Sequence, residues 1–428
     1  MKRDILIKDG IVVDPLNNIK KKQLDILVKE GKIIKIGKSL KEKDVPVFDA
    51  KDKLVIPGLI DMHVHLREPG QEEKETILTG TMAAATGGFT SVACMPNTRP
   101  VADNISVVEY IQSRAKLDGI VNVFVVAACT KEQKGESLTE MGELAANDVV
   151  AFSDDGHPIK NAYVMRKVLE YSSMFNKVVI AHCEDQDLVC GGSMHECSLS
   201  TKWGLPGIPA TAEVTAIARD VLLGESFGEI HIAHVSTKQG IELIRQAKKR
   251  GSKVTCETAP HYLTLTAAAI EGYNTNAKMN PPLRDEEDRQ ALIKALKDGT
   301  IDVIATDHAP HTIDDKNVEF NLAANGIVGL ETAVPIIYTN FVDKGEITIE
   351  RMIELMSINP AKILRLKKGT LKEGLDADIT VLDIKTIKAV DPNKFHTKGK
   401  NTPFAGWKLK GWPSLTLVGG RVAYKNSK

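Results

Sequence analysis

The chain has 428 residues with 56 Lys and Arg against 56 Asp and Glu, a formal net charge of zero, which argues against nucleic acid or an anionic membrane as its partner. Hydrophobic residues at 43%, charged at 26% and aromatic at 5% describe a globular protein with a sizeable core and exclude the disordered and fibrous classes. The opening MKRDILIKDG has no signal-peptide pattern, and the uncharged stretch Ile77 to Thr98 is broken by Gly80, Gly87, Gly88 and Pro96, so the expectation is a cytoplasmic protein without a membrane span.

In chain order, DILIKDGIVVD and QLDILVKEGKIIKIG read as short strands, with Asp9-Gly10 and Glu30-Gly31 as hairpin signals. The same texture returns in ADITVLD and SLTLVGGRVAYKN, where Gly419-Gly420 is the turn. Two β-rich ends around a long middle predict one composite β-domain from residues 1–54 and 366–428. Between them lie eight apolar strand candidates: VIPGLIDMHVH, FTSVACMPN, VNVFVVAAC, DVVAFSDD, KVVIAHCE, EIHIAHVS, KVTCETAPH and IDVIATDH. Stretches such as VVEYIQSRAKL, AYVMRKVLEYSSMF and EDRQALIKALKDG between them have helical periodicity. The fold class expected is therefore α/β, a (β/α)8 TIM barrel over about residues 55–365 with the smaller composite β-domain beside it.

The six cysteines are too scattered for a disulfide framework, which leaves reduced thiols as the default. Cys183, Cys190 and Cys197, with His195 between them, suggest a zinc knuckle, but their intervals are wider than usual zinc pairs.

Nearly every strand candidate ends in chemistry: His63 and His65, Asn97, Asp154 and Asp155, His182, His234, His261 and Asp307. In a barrel these ends share one mouth. Side chains alternate along a strand, so His63 and His65 point the same way and Ile60, Met62 and Val64 should face the helices. In DVVAFSDD, bulky Val150 and Phe152 suit the helix side and small Ala151 and Ser153 the interior, which turns Asp155 rather than Asp154 inward. In EIHIAHVS, His234 shares a face with Ile230 and Ile232, and His231 lies opposite with Ala233; His234 is read as a ligand and His231 as structural. His182 follows Val178 and Ile180, and Asp307 follows Val303 and Ala305. His63, His65, Asp155, His182, His234 and Asp307 thus converge as metal ligands, and imidazoles with carboxylates suit Zn²⁺, with Mn²⁺, Co²⁺ or Fe²⁺ as substitutes.

From residue 61 to 100, DMHVHLREPGQEEKETILTGTMAAATGGFTSVACMPNTRP resembles the dihydroorotases of the amidohydrolase superfamily, in their bacterial class I type. The likeness continues through VVAFSDDG, IAHCED, MHECSLS, GIPATAE, IHIAHVST, CETAPHYLTLT, KMNPPLR, ATDHAPH, GIVGLET and NPAKILRLKKGTLKEGLDADITVLD, essentially the whole chain. The resemblance implies two Zn²⁺ ions per subunit held by His63, His65, His182, His234 and Asp307 and bridged by Asp155. It implies that substrate is bound by His65, Arg67, Asn97, Asn280 and His311, and by a covering loop that adds Asn325 and Gly326. That loop reads Ala324-Asn325-Gly326, where the family commonly has an aromatic residue or proline before the glycine. Many superfamily members bridge their ions with a carboxylated lysine, but no lysine occurs between Asn147 and Pro158, which leaves Asp155 to serve. His157 is read as an exposed loop residue.

The implied reaction is the reversible cyclisation of N-carbamoyl-L-aspartate to dihydroorotate in pyrimidine (UMP) biosynthesis, with Asp307 as the catalytic acid-base residue. The guanidinium of Arg67 suits a substrate carboxylate, against the alternative of a surface ion pair with Glu68. Partners implied are the small-molecule substrate, a second copy of the chain in a homo-dimer, and aspartate transcarbamoylase in a complex. The rival readings are another cyclic amidase (dihydropyrimidinase, hydantoinase or allantoinase) and a non-catalytic structural partner of aspartate transcarbamoylase.

Overall fold

The computed structural model describes residues 4–426. Eight consecutive parallel strands form the barrel: β1 (Leu59–Val64), β2 (Phe89–Cys94), β3 (Asn122–Ala127), β4 (Ala151–Ser153), β5 (Val178–Ala181), β6 (Ile230–Ile232), β7 (Thr255–Thr258) and β8 (Val303–Ile304). Each pairs with its sequence neighbour, and the first and last meet where the His65 N–H donates to the His308 carbonyl at 2.9 Å. Helices at Ile105–Asp118, Ala162–Ser173, Thr211–Phe227, Lys238–Lys249 and Glu286–Asp298 return the chain between strands. Asn104, Asn161 and Thr237 cap three of them by accepting backbone N–H groups of the first turn.

Two apolar layers line the barrel wall. Leu59, Val92, Val125, Phe152, Ile232 and Cys256 belong to the large cluster shared with the helices. A second cluster draws Met62, Ala93, Val126, Ala151, Ile180, Ala233 and Val303 from seven strands or their ends and fills the lumen. Met62 and Val150 were expected on the helix side and instead lie in this lumen cluster. For Met62 the reason is a register shift between Asp61 and Val64 against β2, which lets neighbouring Met62 and His63 both face inward. Val150 precedes β4, so the strand's alternation does not yet govern it.

The termini combine as expected into one sheet, in which the strands Ile5–Asp14, Leu54–Pro57 and Ile379–Asp383 are neighbours. Its own core includes Ile7, Val12, Ile26, Val55, Ile379, Val381 and Leu417. Glu30-Gly31 and Gly419-Gly420 turn with positive φ as expected, but Asp9-Gly10 does not turn. The strand runs through it with a register shift, Asp9 adopts φ 58°, and a Cβ on Gly10 would lie 2.4 Å from Val55 Cγ2. The dipeptide is a bulge where a neighbouring strand approaches closely, and the reversal comes later, at Pro15–Asn18.

Between Asp383 and Trp412 the chain leaves this sheet and returns to the barrel mouth, where Val328 N–H donates to the Asn401 carbonyl at 2.9 Å. No helix among the described residues is long and apolar enough to cross a membrane.

Candidate metal centre and substrate pocket

The C-terminal ends of β1, β4, β5, β6 and β8 bring His63, His65, Asp155, His182, His234 and Asp307 together. Two groups have ligand atoms within 4.8 Å of one another, His63–His65–Asp155 and Asp155–His182–His234, with Asp155 common to both. Asp155 Oδ1 lies 3.3 Å from His63 Nε2 and 3.6 Å from both His182 Nδ1 and His234 Nε2. Its Oδ2 lies 3.6 Å from His65 Nε2. Asp307 Oδ1 completes the first group, 3.1 Å from His65 Nε2 and 3.6 Å from His63 Nε2.

This arrangement suits a cation. His63 Nε2 and Asp155 Oδ1 are buried with no hydrogen-bond partner, a costly state for polar atoms unless something else binds them. The imidazoles are also oriented as ligands. Glu257 accepts from His63 Nδ1 at 2.6 Å and the Asn97 side-chain oxygen accepts from His65 Nδ1 at 2.9 Å, which leaves both Nε2 lone pairs facing Asp155 and Asp307. Burial opposes charge throughout, yet Asp155 and Glu257 draw His63 upward, and Asp155 with Glu184 carries His182 to about 10. Against their burial, His63, His182 and His234 hold Asp155, and His65, His63 and His234 hold Asp307, below the usual carboxylate range. The donor set fits a divalent ion with nitrogen and oxygen ligands.

Asp154 faces away, as parity predicts, accepting the N–H groups of Cys129 and Thr130 at 2.8 and 3.1 Å. His234 is in the site for a different reason from the one expected. Ile230 and Ile232 face the helices, and His231 is the residue on the lumen face, bonded to Glu257 and Thr255. The strand ends at Ile232, and His234 at φ 33° turns its ring back inward. Asp307 at φ 49° and Arg67 at φ 61° share this left-handed conformation, strain of a kind that concentrates at functional sites. His261 sits in the short helix after β7, 1% exposed, with burial lowering it to about 4, and is in neither ligand group.

Above the ligands is a cavity of about 220 Å³. His65, Arg67, Asn97, Asn280, His311, Asn325 and Gly326 all line it. Arg67 has no carboxylate partner among the described residues; Glu68, the alternative, pairs with Arg114 at 3.0 Å. Burial lowers the guanidinium to about 10, leaving it charged at neutral pH; its Nε donates to the Pro310 carbonyl at 3.3 Å and its Nη2 lies 3.5 Å from His311 Nε2. Asn280 gives its amide N–H to Glu184 at 3.1 Å while its Oδ1 remains an unpaired buried acceptor. His311 Nε2 donates to the Asn325 carbonyl at 2.7 Å, and burial with Arg67 nearby lowers its ring to about 3.

Two carboxylates that sequence reasoning passed over support the ligands. Glu257 links His63 to His231, and Glu184 joins Asn280 to His182. A charged residue between Cys256 and Thr258 in a buried strand demands a buried partner, and that signal was present in CETAPH. The zinc-knuckle reading is overturned. Cys183 donates to Asp220, His195 accepts from Arg284 and Cys190 is exposed, so the four do not meet. Lys131 and Lys134 pair with Glu140 and Glu132 at the surface, more than half exposed, and neither reaches the ligands.

Residues 52–240 match a family model described as dihydro-orotase-like, and 294–424 match one described as the amidohydrolase family. A dihydroorotase from Acetivibrio thermocellus is 56% identical over 98% of this chain and 99% of its own. One from Pelotomaculum thermopropionicum is 54% identical over 99% of both. Among solved structures, the L-hydantoinase (dihydropyrimidinase) of Arthrobacter aurescens superposes with a TM-score of 0.90 at 28% identity, over 100% of this chain and 97% of that one. With more than half its residues identical to those relatives from end to end, the chain belongs to the dihydroorotase family.

Proposed function

We propose that the protein is a dihydroorotase that interconverts N-carbamoyl-L-aspartate and (S)-dihydroorotate, and that His63, His65, His182, His234 and Asp307, with Asp155 common to both groups, would hold two Zn²⁺ ions. The observation that carries the choice of substrate is Arg67, a charged guanidinium without a carboxylate partner in the wall of a small cavity above a twin ligand group. A ring carboxylate satisfies it with paired hydrogen bonds. Hydantoins and dihydropyrimidines have no such group to offer.

A ring amide resists water, and divalent ions held by these six ligands supply Lewis-acid polarisation of the carbonyl and water acidified toward neutral pH. The residues of the chain do the rest. Asp307, ionised and 3.1 Å from His65 Nε2, accepts the proton of the attacking water and delivers it to the leaving ring nitrogen, general base and then general acid. Arg67 fixes the carboxylate end, and the Asn280 Oδ1, lacking any donor, accepts a ring N–H. Asn97 keeps His65 in the ligand tautomer. Run in reverse, the same groups close carbamoyl aspartate.

Arg67→Ala tests the substrate. The variant should lose dihydroorotate hydrolysis by roughly 10- to 150-fold, the equivalent of about 1.5–3 kcal/mol for a charge-assisted pair, and should spare any slow hydrolysis of dihydrouracil or hydantoin. Equal losses on all three substrates would assign Arg67 a structural role and favour the hydantoinase reading.

A further inference from the structure

The loop over the pocket, residues 321–326, is irregular backbone with no helix or sheet to take its polar groups. Irregular backbone must find partners outside a helix or sheet: the N–H groups of Leu322 and Ala323 reach the Glu319 carbonyl and that of Ala324 the Asp315 carbonyl, while the loop's carbonyls take side-chain donors. Lys278 Nζ donates to the carbonyls of Asn321 and Ala323 at 2.9 and 2.8 Å. Lys316 Nζ donates to those of Ala324 and Gly326 at 2.7 and 3.0 Å. His311 takes the Asn325 carbonyl, and the Asn401 amide, arriving from outside the barrel, also reaches the Gly326 carbonyl at 3.0 Å.

Both lysines are only 6% exposed, and neither forms an ion pair among the described residues. An amine buried without a counter-charge is expensive, and here the four loop carbonyls that the two lysines satisfy offset that cost. What the lysines provide is geometry, since one tetrahedral ammonium joins two carbonyls. Their placement also couples the loop to the rest of the pocket. Lys278 is two residues before Asn280, its carbonyl accepts the Gly326 N–H at 2.9 Å, and Lys316 lies five residues after His311.

We propose that Lys278 and Lys316 are positioning residues, a two-lysine clamp that holds loop 321–326 over the pocket and fixes the backbone Asn325 and Gly326 present to substrate. The inference rests on the reading of that loop as a substrate contact. Contacts that hold substrate and transition state alike change KM and leave kcat in place.

The test is Lys316→Met, which keeps the stem and removes the donors, with Lys278→Met as the second variant should the first fail to fold. Amide hydrogen exchange over residues 318–328 is compared with wild type in the metal-loaded protein, alongside metal content and kinetics on dihydroorotate. The clamp predicts unchanged metal content, exchange in the loop faster by about tenfold or more while the barrel strands keep theirs, and KM raised about tenfold or more with kcat within a few-fold. Loop exchange equal to wild type overturns the clamp, as does faster exchange throughout the barrel with metal lost. Absence of wild-type turnover on dihydroorotate would remove the substrate assignment alone, because exchange still decides the clamp.

Discussion

At the scale of single residues, the proposed reaction gives Asp307 two duties that one substitution separates. Its carboxylate stands 3.1 Å from His65 and 3.6 Å from His63, close enough to share a cation and to hold a proton. Asp307→Asn keeps an oxygen donor and loses the proton acceptor. The expected result is retained metal with kcat lower by at least about 10²-fold, the contribution of a positioned acid-base group; elemental analysis beside steady-state kinetics checks it, and wild-type kcat contradicts it. The six ligands were legible as residue types because the strand-end positions are rare places for His and Asp to gather. Glu257 was not, since its value lies in a bond to His63 across five intervening barrel strands, and no local pattern records that.

At the scale of elements, the end of β4 supplies the residue common to the two candidate ligand groups. Ser153, Asp154 and Asp155 close the strand, Asp154 turns away to Cys129 and Thr130, and Asp155 alone faces four imidazoles. A carboxylated lysine would require carbon dioxide to form; an aspartate, with a reference pKa of about 3.9, is a carboxylate already. Protein stripped of metal and rebuilt with Zn²⁺ in degassed buffer should therefore recover equal activity with and without bicarbonate. A bicarbonate requirement would contradict Asp155 as the shared ligand. Strand alternation predicted the inward turn of Asp155 and failed at Met62 and His234, in each case because the ladder is interrupted, by a register shift at the first and a left-handed residue at the second. Such interruptions depend on neighbouring strands, so hydrophobic periodicity does not show them.

At the scale of the whole molecule, the pocket is finished by a segment that composition assigns to the other domain. Thr397 and His396 give their N–H groups to buried Glu331, and Asn401 joins the Ala309 and Gly326 carbonyls at 3.0 Å each. Eight strands and the composite sheet were readable from apolar runs and turn residues, whereas this return was not, because its elements are only two or three residues long and its contacts, from Val390, Phe404 and Leu409 in the core to Asn401 at the pocket, are distant in sequence. Burial pushes the Glu331 carboxyl up to about 7, against the pull of the two N–H groups. With the folded value above the unfolded one, its contribution to stability is fully present below about pH 4.3 and is lost as the pH rises through the folded value. Glu331→Gln keeps an accepting oxygen and cannot ionise. Its Tm relative to wild type should rise by about 2 °C or more between pH 5 and pH 8.5; a pH-independent difference would show that Glu331 does not titrate with folding.

The central claim is that two divalent ions on one aspartate-bridged ligand set serve a carboxylate-bearing cyclic amide. Its most direct measurement is a titration of Zn²⁺ into chelator-stripped protein, followed by elemental analysis and by turnover of dihydroorotate and of N-carbamoyl-L-aspartate in the same samples. The account predicts that both directions appear together and reach a maximum at two ions per chain, with Asp155→Ala holding fewer ions and neither activity. Metal bound to that stoichiometry with no turnover in either direction, or full turnover in the stripped protein, would contradict it.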